Sequence, residues 1–417
     1  MKESIKKRIE EVCRGEVPDG YRRTRAGLMP LEWKGNLAAK DVFRNHTNKK
    51  HNGEFEVLSA TQDRGIIPRS EVDIDIKYDE ENIGSYKKVE AGDFVISLRS
   101  FQGGIEYSEY EGLVSPAYTV LKATKPISDN YYRAYFKTLD FISRLNGAVY
   151  GIRDGKQIGF EDFGELAVHY PPLAEQQKIA EILATCDRVI ELKQRLLKEK
   201  RRRKQWLMKK LLSETSGVNE VALSKLCSAV CDGDWIESKD QSESGIRLIQ
   251  TGNVGVGRYL DKEGRARYIS EDTFKKLNCT EVFAGNILLS RLPDPIGRAC
   301  MVPNLSARAI TAVDCTILRF KDADVAEFFL QYATSNEYFN KISILAGGST
   351  RTRISRKEIE KLLIPVPTSK TAMQKISKGL SLADQEISAL EQEMAAWQQK
   401  KKALMQLLLT GLVRVNA

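Results

Sequence analysis

The sequence predicts an α+β fold: two similar, mostly β domains separated by two long antiparallel coiled-coil helices, the whole forming a pseudo-twofold internal repeat. Three observations predict it. First, residues 178–213 recur as residues 375–410 without a gap, at an offset of 197 residues. The matched positions are Lys178/Lys375, Ile179/Ile376, Leu183/Leu380, Asp187/Asp384, Ile190/Ile387, Lys204/Lys401, Leu207/Leu404, Met208/Met405, Leu211/Leu408 and Leu212/Leu409. Second, both copies alternate steps of four and three residues along one seam, the pattern of a coiled coil. In the second copy the seam is Ile376, Leu380, Ala383, Ile387, Leu390, Met394, Trp397, Lys401, Leu404 and Leu408; in the first it is Ile179, Leu183, Cys186, Ile190, Lys193, Leu197, Lys200, Lys204, Leu207 and Leu211. Third, the segments before the two helices also match, at offsets that drift only from 191 to 197, as a duplicated domain with small loop insertions would.

Taken in order, residues 4–14 set Ile5, Ile9 and Val12 among charged residues, which predicts a short amphipathic helix ended by Gly15 and Pro18. A turn-rich segment without a strand pattern follows, through Gly27 and Pro30. Short β-like runs at 55–60, 94–98 and 118–123 come next, with one helix expected over 129–145. Pro171 and Pro172 then break the chain before the first long helix, about 55 Å in length at 1.5 Å per residue. Residues 214–219 read as a polar linker. In the second half 246–253 answers 55–62, 282–290 answers 89–97, 316–318 answers 119–121, a helix is expected within 327–342, and 348–367 answers 152–171. The expected organisation is an N-terminal helix and turn segment (1–32), a first β domain (33–172), the first long helix (173–215), a second β domain (216–370) and the second long helix (371–417). Antiparallel pairing would put the β domains near opposite ends of a rod, as suits a target in two parts.

Composition bounds the class. With 417 residues, 42% of them hydrophobic, the chain can bury the cores of about two to four folding units. Seven cysteines without paired spacing argue against a disulfide framework and for a reducing compartment. The N-terminus lacks the apolar core of a signal peptide and no run reaches the length of a membrane span, so the expected location is the cytoplasm, away from membranes. The net charge of +9 is concentrated: residues 193–210 hold ten Lys or Arg against one Glu, while residues 390–407, their copy, hold three Lys against two Glu. A solvated face that complements the helix dipole, and a face turned to phosphate or to a partner, both fit that run.

Catalytic motifs are missing. Three His residues (46, 51, 169) and an isolated Cys227-x3-Cys231 offer no metal-ligand set of structural-zinc type. No GxxxxGK[ST] phosphate loop occurs, and Gly252, Gly255 and Gly257 have the wrong order for a dinucleotide fingerprint. Pro18-Asp19 with Glu32-Trp33-Lys34 fits a loose nuclease string, but it flanks turns where paired strands would be needed. What remains is binding chemistry on loops. The candidates in the first domain are Lys49, Lys50, Gln62, Arg64, Arg99, Tyr150, Arg153 and Lys156; in the second they are Gln250, Asn253, Arg258, Arg291, Arg351 and Arg353. Arg, Gln and Asn make bidentate contacts to base edges, and Lys meets phosphate. Candidate partner-facing or spacing residues on the helices are Ile179, Leu183, Ile190, Leu197, Arg201, Arg202, Arg203, Leu207, Ile376, Leu380, Ile387, Leu390, Trp397 and Leu404.

GEVPDGYRRTRAGLMPLEW (15–33), AGDFVISLR, AGNILLSR, YGIRDGKQI, YPPLAEQQKIAEIL (170–183) and LLLTGLVRV (407–415) together resemble the specificity subunit of a type I restriction-modification system. The second copy carries IPVPTSKTAMQKI where the first has the Pro-Leu-Ala-Glu-Gln form. The resemblance implies that each β domain is a target-recognition domain reading one half of a bipartite site on double-stranded DNA, and that the long helices are spacers. It implies two methyltransferase subunits docked on the spacers and two restriction subunits in the complex. S-adenosylmethionine, ATP and Mg²⁺ would belong to those partners, with no cofactor bound by this chain and no catalysis of its own. The alternative from the residues alone is a coiled-coil adaptor that binds only proteins.

Overall fold

The computed structural model describes residues 3–62, 64–72, 80–97, 105–147, 158–347 and 352–415. The chain divides into two compact units, residues 1–192 with 394–417, and residues 193–393. The division crosses both long helices, Leu173–Glu214 and Lys370–Leu409.

In the first unit the helix Glu3–Cys13 is followed by a hairpin of Tyr21–Thr24 and Gly27–Pro30. Lys34–Ala38 then pairs antiparallel with Ala167–Tyr170, the strand that leads into the first long helix. The expected turn segment is therefore strand-bearing; strands of four and five residues interrupted by Pro and Gly leave no periodicity to read. A four-stranded antiparallel sheet runs in the order Phe43–Asn45, Thr119–Ala123, Phe94–Ile96, Ile105–Tyr107. Two two-stranded pairs, Leu58–Thr61 with Gly65–Pro68 and Lys87–Val89 with Gly112–Val114, lie outside it. Its core joins Phe43, Phe94, Tyr132, Phe136 and Phe163 to Ile179 and Leu183 of the first long helix and Leu408 and Leu409 of the second.

The second unit repeats this plan. Val218–Ala222 pairs with Leu363–Pro367, and a four-stranded sheet runs Cys227–Asp232, Cys315–Phe320, Ile287–Ser290, Ala299–Met301. A second sheet of four strands, Arg267–Ile269, Ile246–Ile249, Ala309–Thr311 and Glu281–Val282, contains one parallel pair, Ile246–Ile249 with Ala309–Thr311. Its core packs Leu289, Leu318, Phe328, Phe329 and Tyr338 against Met208, Met373, Ile376 and Leu380 of the long helices.

Where one internal helix was expected in each domain there are two: Asp129–Tyr135 and Leu139–Gly147 in the first, Ala323–Tyr332 and Asn336–Leu345 in the second. A side-chain hydroxyl makes each break. Thr138 accepts the amide of Phe141, and Ser335 accepts the amide of Tyr338, each capping a new helix start.

Within each unit the long helices pair antiparallel, and ion pairs fix the register. In the second unit Lys204, whose side chain is 7% exposed, binds both carboxylate oxygens of Asp384 at 2.6 and 2.7 Å. In the first unit Lys401 binds Asp187. These two pairs are the same pair under the repeat, since Lys204 matches Lys401 and Asp187 matches Asp384. Two further seam lysines, Lys193 and Lys200, meet Glu393 and Glu386. Each lysine at an apolar position thus has its acid on the facing helix.

The second long helix ends at Gly411, whose φ of +72° suits a residue without a side chain. A Cβ there would also lie 2.6 Å from Pro30. The tail beyond it is held by Tyr21, whose hydroxyl donates to the Gly411 carbonyl (2.7 Å), and by Arg414, which binds the buried Glu175 carboxylate at 2.7 and 2.9 Å. Glu175 also accepts from Trp33 Nε1 at 2.8 Å. His169 Nδ1 bonds the Leu409 carbonyl at 2.9 Å, and burial holds this imidazole below the usual histidine pKa.

Two outcomes are expected. Lys204→Ala, which strands a partly solvated Asp384, should lower the stability of the full chain by about 2–3 kcal/mol, less than a fully buried broken pair. Lys401→Ala, at the more exposed copy, should cost under about 1 kcal/mol; denaturant unfolding of both variants distinguishes them, and equal losses would contradict the assignment. His169 is neutral in the fold, while the unfolded chain takes up its proton as pH falls through about 6.5, so stability drops on acidification. His169→Gln should flatten the dependence of the unfolding midpoint between about pH 7 and pH 5.

Candidate nucleic-acid interface

The antiparallel order of the second unit's first sheet brings Asp232, Ser290, Ala299 and Cys315 to one edge. The loops there gather arginines around two aspartates. Arg291 binds Asp232 at 2.6 Å, Arg356 approaches the other oxygen of Asp232 at 3.6 Å, and Arg353 binds Asp314 at 2.7 Å. Arg356 also binds Glu360 at 3.2 Å, so three cations meet three anions here. Arg291 is buried and its carbonyl accepts the Ile354 amide, so its part is to hold loop to loop. Arg353 and Arg356 are exposed enough to offer their remaining N–H groups outward. Arg351 lies outside the described residues. Trp235, 71% exposed, stands on the loop after Asp232 at the same edge.

Gln250, Asn253 and Arg258 occupy one loop with distinct roles. Asn253 is buried: its Oδ1 accepts the Gln250 amide at 3.0 Å and its Nδ2 donates to the Leu260 carbonyl at 2.9 Å, which closes the loop. Gln250 is half-buried at the start of this turn. Arg258 turns to the second long helix and binds Glu391 at 3.0 Å, where Arg201 of the first long helix also binds at 2.6 Å.

In the first domain Lys49 and Lys50 are exposed after the bridge between Asn48 and Lys88. Burial, and after it the nearby Lys49 ammonium, push the Lys87 pKa down. Gln62 and Arg64 sit at the tip of the Leu58–Thr61 and Gly65–Pro68 hairpin. There the Gln62 carbonyl accepts from Lys137 (3.3 Å), and Arg64 donates to the Glu71 carbonyl (2.7 Å) and pairs with its carboxylate. Arg99, Tyr150, Arg153 and Lys156 fall outside the described residues.

The basic run on the first long helix has an acidic counterpart that the repeat does not reveal. Antiparallel packing sets it against residues 384–393, which hold Asp384, Glu386, Glu391 and Glu393 and no base and overlap its copy at 390–407 only in the first four residues. Arg202 pairs with Glu199 of its own helix, and Arg203 lines a cavity of about 170 Å³ with Lys200, Lys204, Leu207, Leu382 and Glu386. Of the apolar helix candidates, Ile179, Leu183, Leu197, Ile376 and Leu380 are buried, Leu207 and Leu404 pack against the two cores, and Ile190, Ile387, Leu390 and Trp397 are half-buried along the seam.

Burial raises the thiol pKa of Cys227 and Cys300 to about 12 and of Cys279 and Cys315 to about 11, which keeps them protonated and poor as ligands. Among the described residues one group could offer a metal three ligand atoms, His46, Glu90 and Asp93. Lys122 already binds Glu90, and Asp93 caps the turn by accepting the Glu90 amide at 2.9 Å, as Asn286 does for Phe283 in the second domain. The nuclease-like string does not assemble either: Glu32 binds Arg414 and Asp19 stands on an exposed turn.

Comparison with known proteins follows the same division. The sequence model of the type I restriction modification DNA specificity domain matches residues 35–200 and again residues 216–396. The chain is similar to the type I restriction enzyme MjaVIII specificity subunit of Methanocaldococcus jannaschii, 25% identical over 330 residues, covering 73% of this chain and 75% of the relative. It is also similar to the putative MjaX specificity subunit of that organism, 25% identical over 428 residues, covering 95% of this chain and 97% of the relative. Its fold matches a chain from a structure of type I restriction-modification complex assembly and conformational transition, with a TM-score of 0.57, 16% identity and coverage of 95% and 100%. It also matches the type I restriction-modification S subunit from M. genitalium, with a TM-score of 0.51, 14% identity and coverage of 92% and 97%.

The geometry separates surface cations from structural ones. Replacing Lys49 and Lys50 by Ala should leave unfolding unchanged and reduce the salt dependence of DNA binding by about one ion per lysine. Arg291→Ala should instead destabilise the chain by about 1–2 kcal/mol, because Asp232 loses its closest partner and keeps only the longer contacts of Arg356 (3.6 Å) and Thr316 (3.3 Å). Parallel salt titrations and denaturation curves test the pair, and the reverse pattern would refute the separation.

Proposed function

The chain belongs to the type I restriction-modification specificity-subunit family, and from that premise we propose how its parts divide the work. It is the DNA specificity subunit of such a system, the non-catalytic component, with two target-recognition domains. The proposal is that residues 33–172 and 216–370 are those domains, each reading one half of a bipartite site on double-stranded DNA. Residues 173–215 and 371–417 are the spacers that fix the distance between half-sites. The observation that carries this reading is the duplication itself: a β domain followed by a long helix, twice, with the same seam Lys–Asp pair in each copy.

In this reading Lys49, Lys50, Arg353 and Arg356 meet the DNA backbone, and Arg64, Gln250 and the loops bearing Arg99, Tyr150, Arg153, Lys156 and Arg351 contribute to base reading. Arg258 and Arg291 position loops. The exposed faces of the long helices, with Trp206, Leu196 and Leu382 uncovered, dock two methyltransferase subunits, through which two restriction subunits join. S-adenosylmethionine serves the methyltransferases, ATP and Mg²⁺ serve the restriction subunits, and this chain binds none of them. Among the described residues no helix is long and apolar enough to cross a membrane, and the proposed location is the cytoplasm with its DNA.

Exchanging residues 33–170 for those of a relative with a different target should change one half of the methylated sequence and leave the other half intact, as read by mapping methylated bases in cells carrying the chimera. A change in both halves would refute the modular reading. If the complex shows no salt-dependent DNA affinity at all, a protein-only adaptor is the better description.

A further inference from the structure

The second domain contains a buried cation to which no acid is bound among the described residues. Arg298 is 9% exposed, and its guanidinium donates only to backbone carbonyls: Nε to Val254 (2.7 Å), Nη1 to Leu292 (2.9 Å), Pro293 (3.0 Å) and Pro295 (3.1 Å), and Nη2 to Thr251 (3.0 Å). Removing a full charge from water is costly unless its donors are satisfied, and these contacts engage all three guanidinium nitrogens, the two Nη1 hydrogens being shared among three carbonyls. They also join two loops that share no strand, residues 251–254 and residues 292–295. The second loop leaves Pro293, Asp294 and Pro295 exposed near the loop arginines, with the carbonyl oxygens of Pro293 and Pro295 turned to Arg298. The first loop continues into Arg258, which Glu391 and Arg201 tie to the two long helices.

The sequence of the first half lacks the residues for either tie. Register places Ile105 opposite Ile96 as Ala299 lies opposite Leu289, so the residue before that strand is Gly104 in the first domain where the second has Arg298. The repeat positions of Glu391 and Arg201 are Gln194 and Gln398, both uncharged.

We propose that Arg298 is a positioning residue for half-site recognition: it braces the exposed 293–295 tip against the 251–258 loop, and so against the spacer helices, and Asp294 on that tip reads the second half-site. A carboxylate held rigidly there is suited to accept from an exocyclic amine of cytosine or adenine in the major groove. The inference rests on the recognition reading above.

The test uses the full chain assembled with its methyltransferase partner, and DNA duplexes carrying the genomic methylation target or that target with one half-site altered. For wild type, altering either half should weaken binding about tenfold or more; if neither half matters, the recognition reading fails, whatever Arg298 does. With Arg298→Met, the penalty for altering the second half should fall at least about tenfold while the penalty for the first half is unchanged. Arg298→Lys, which keeps the charge and some of the donors, should restore part of the second-half penalty. Asp294→Ala, an exposed change that leaves the cage intact, should reduce the second-half penalty alone, and it decides the matter if Arg298→Met does not fold. The proposal is overturned if Asp294→Ala keeps wild-type discrimination, or if folded Arg298→Met keeps it or loses both halves alike.

Discussion

A lysine at a position that the seam reserves for an apolar residue constrains the long helices more than their leucines do. Leucines pack acceptably in several registers; a half-buried ammonium is stable only opposite an acid. Were the two copies paired in parallel at matching positions, Lys204 would face Lys401, and like charges would meet in the seam. Antiparallel pairing crosses the copies, so that Lys204 meets Asp384 and Lys401 meets Asp187. One sequence solution, duplicated, therefore satisfies both contacts. In the second unit Asp384 also accepts from Gln331, and Lys204 also donates to Thr334, so the same register seats the domain's internal helices on the seam.

That constraint accounts for what was legible in the sequence. Periodicity over about forty residues and a constant repeat offset identify the helices and the duplication, because both are long-range regularities that local noise does not erase. The strands of 21–38 were hidden by their brevity and their punctuation with Gly and Pro. The internal helices each look like one in sequence because Thr138 and Ser335 lie within otherwise helical runs, and a hydroxyl cap depends on which amide it meets.

For the recognition residues the limit is different. Arg258, Arg291 and Asn253 have the chemistry of base readers, and sequence supplies only chemistry. Tertiary structure gives Arg291 to Asp232, Arg258 to Glu391 and Asn253 to its own loop. Lys49 and Lys50, placed after a turn with no acid beside them in sequence, remain on the surface as expected. Arg298 was not singled out, since an arginine next to glycine at the start of a short strand reads as surface until its five carbonyls are seen. The acidic stretch opposite the basic run was visible in the sequence, but only antiparallel pairing identifies 384–393 as its partner.

Duplication supplies equal spacers, yet the two domains have diverged around them. The second has a four-stranded second sheet with a parallel pair of strands, where in the first the two two-stranded pairs are joined by a parallel bridge, Val57 to Leu113. The second ties a loop to the long helices through Glu391, where the first has an amide at the matching place. A spacer set by repeat-related ion pairs tolerates such divergence, because the Lys204–Asp384 and Lys401–Asp187 pairs are made between the helices themselves, whereas Arg258 reaches Glu391 from a loop. The Lys204–Asp384 pair is also met by Gln331 of the internal helix Ala323–Tyr332 and by Thr334 of the turn that follows it. Loop sequence can therefore change, and with it what is read, while the helix register is kept by residues that do not take part in reading.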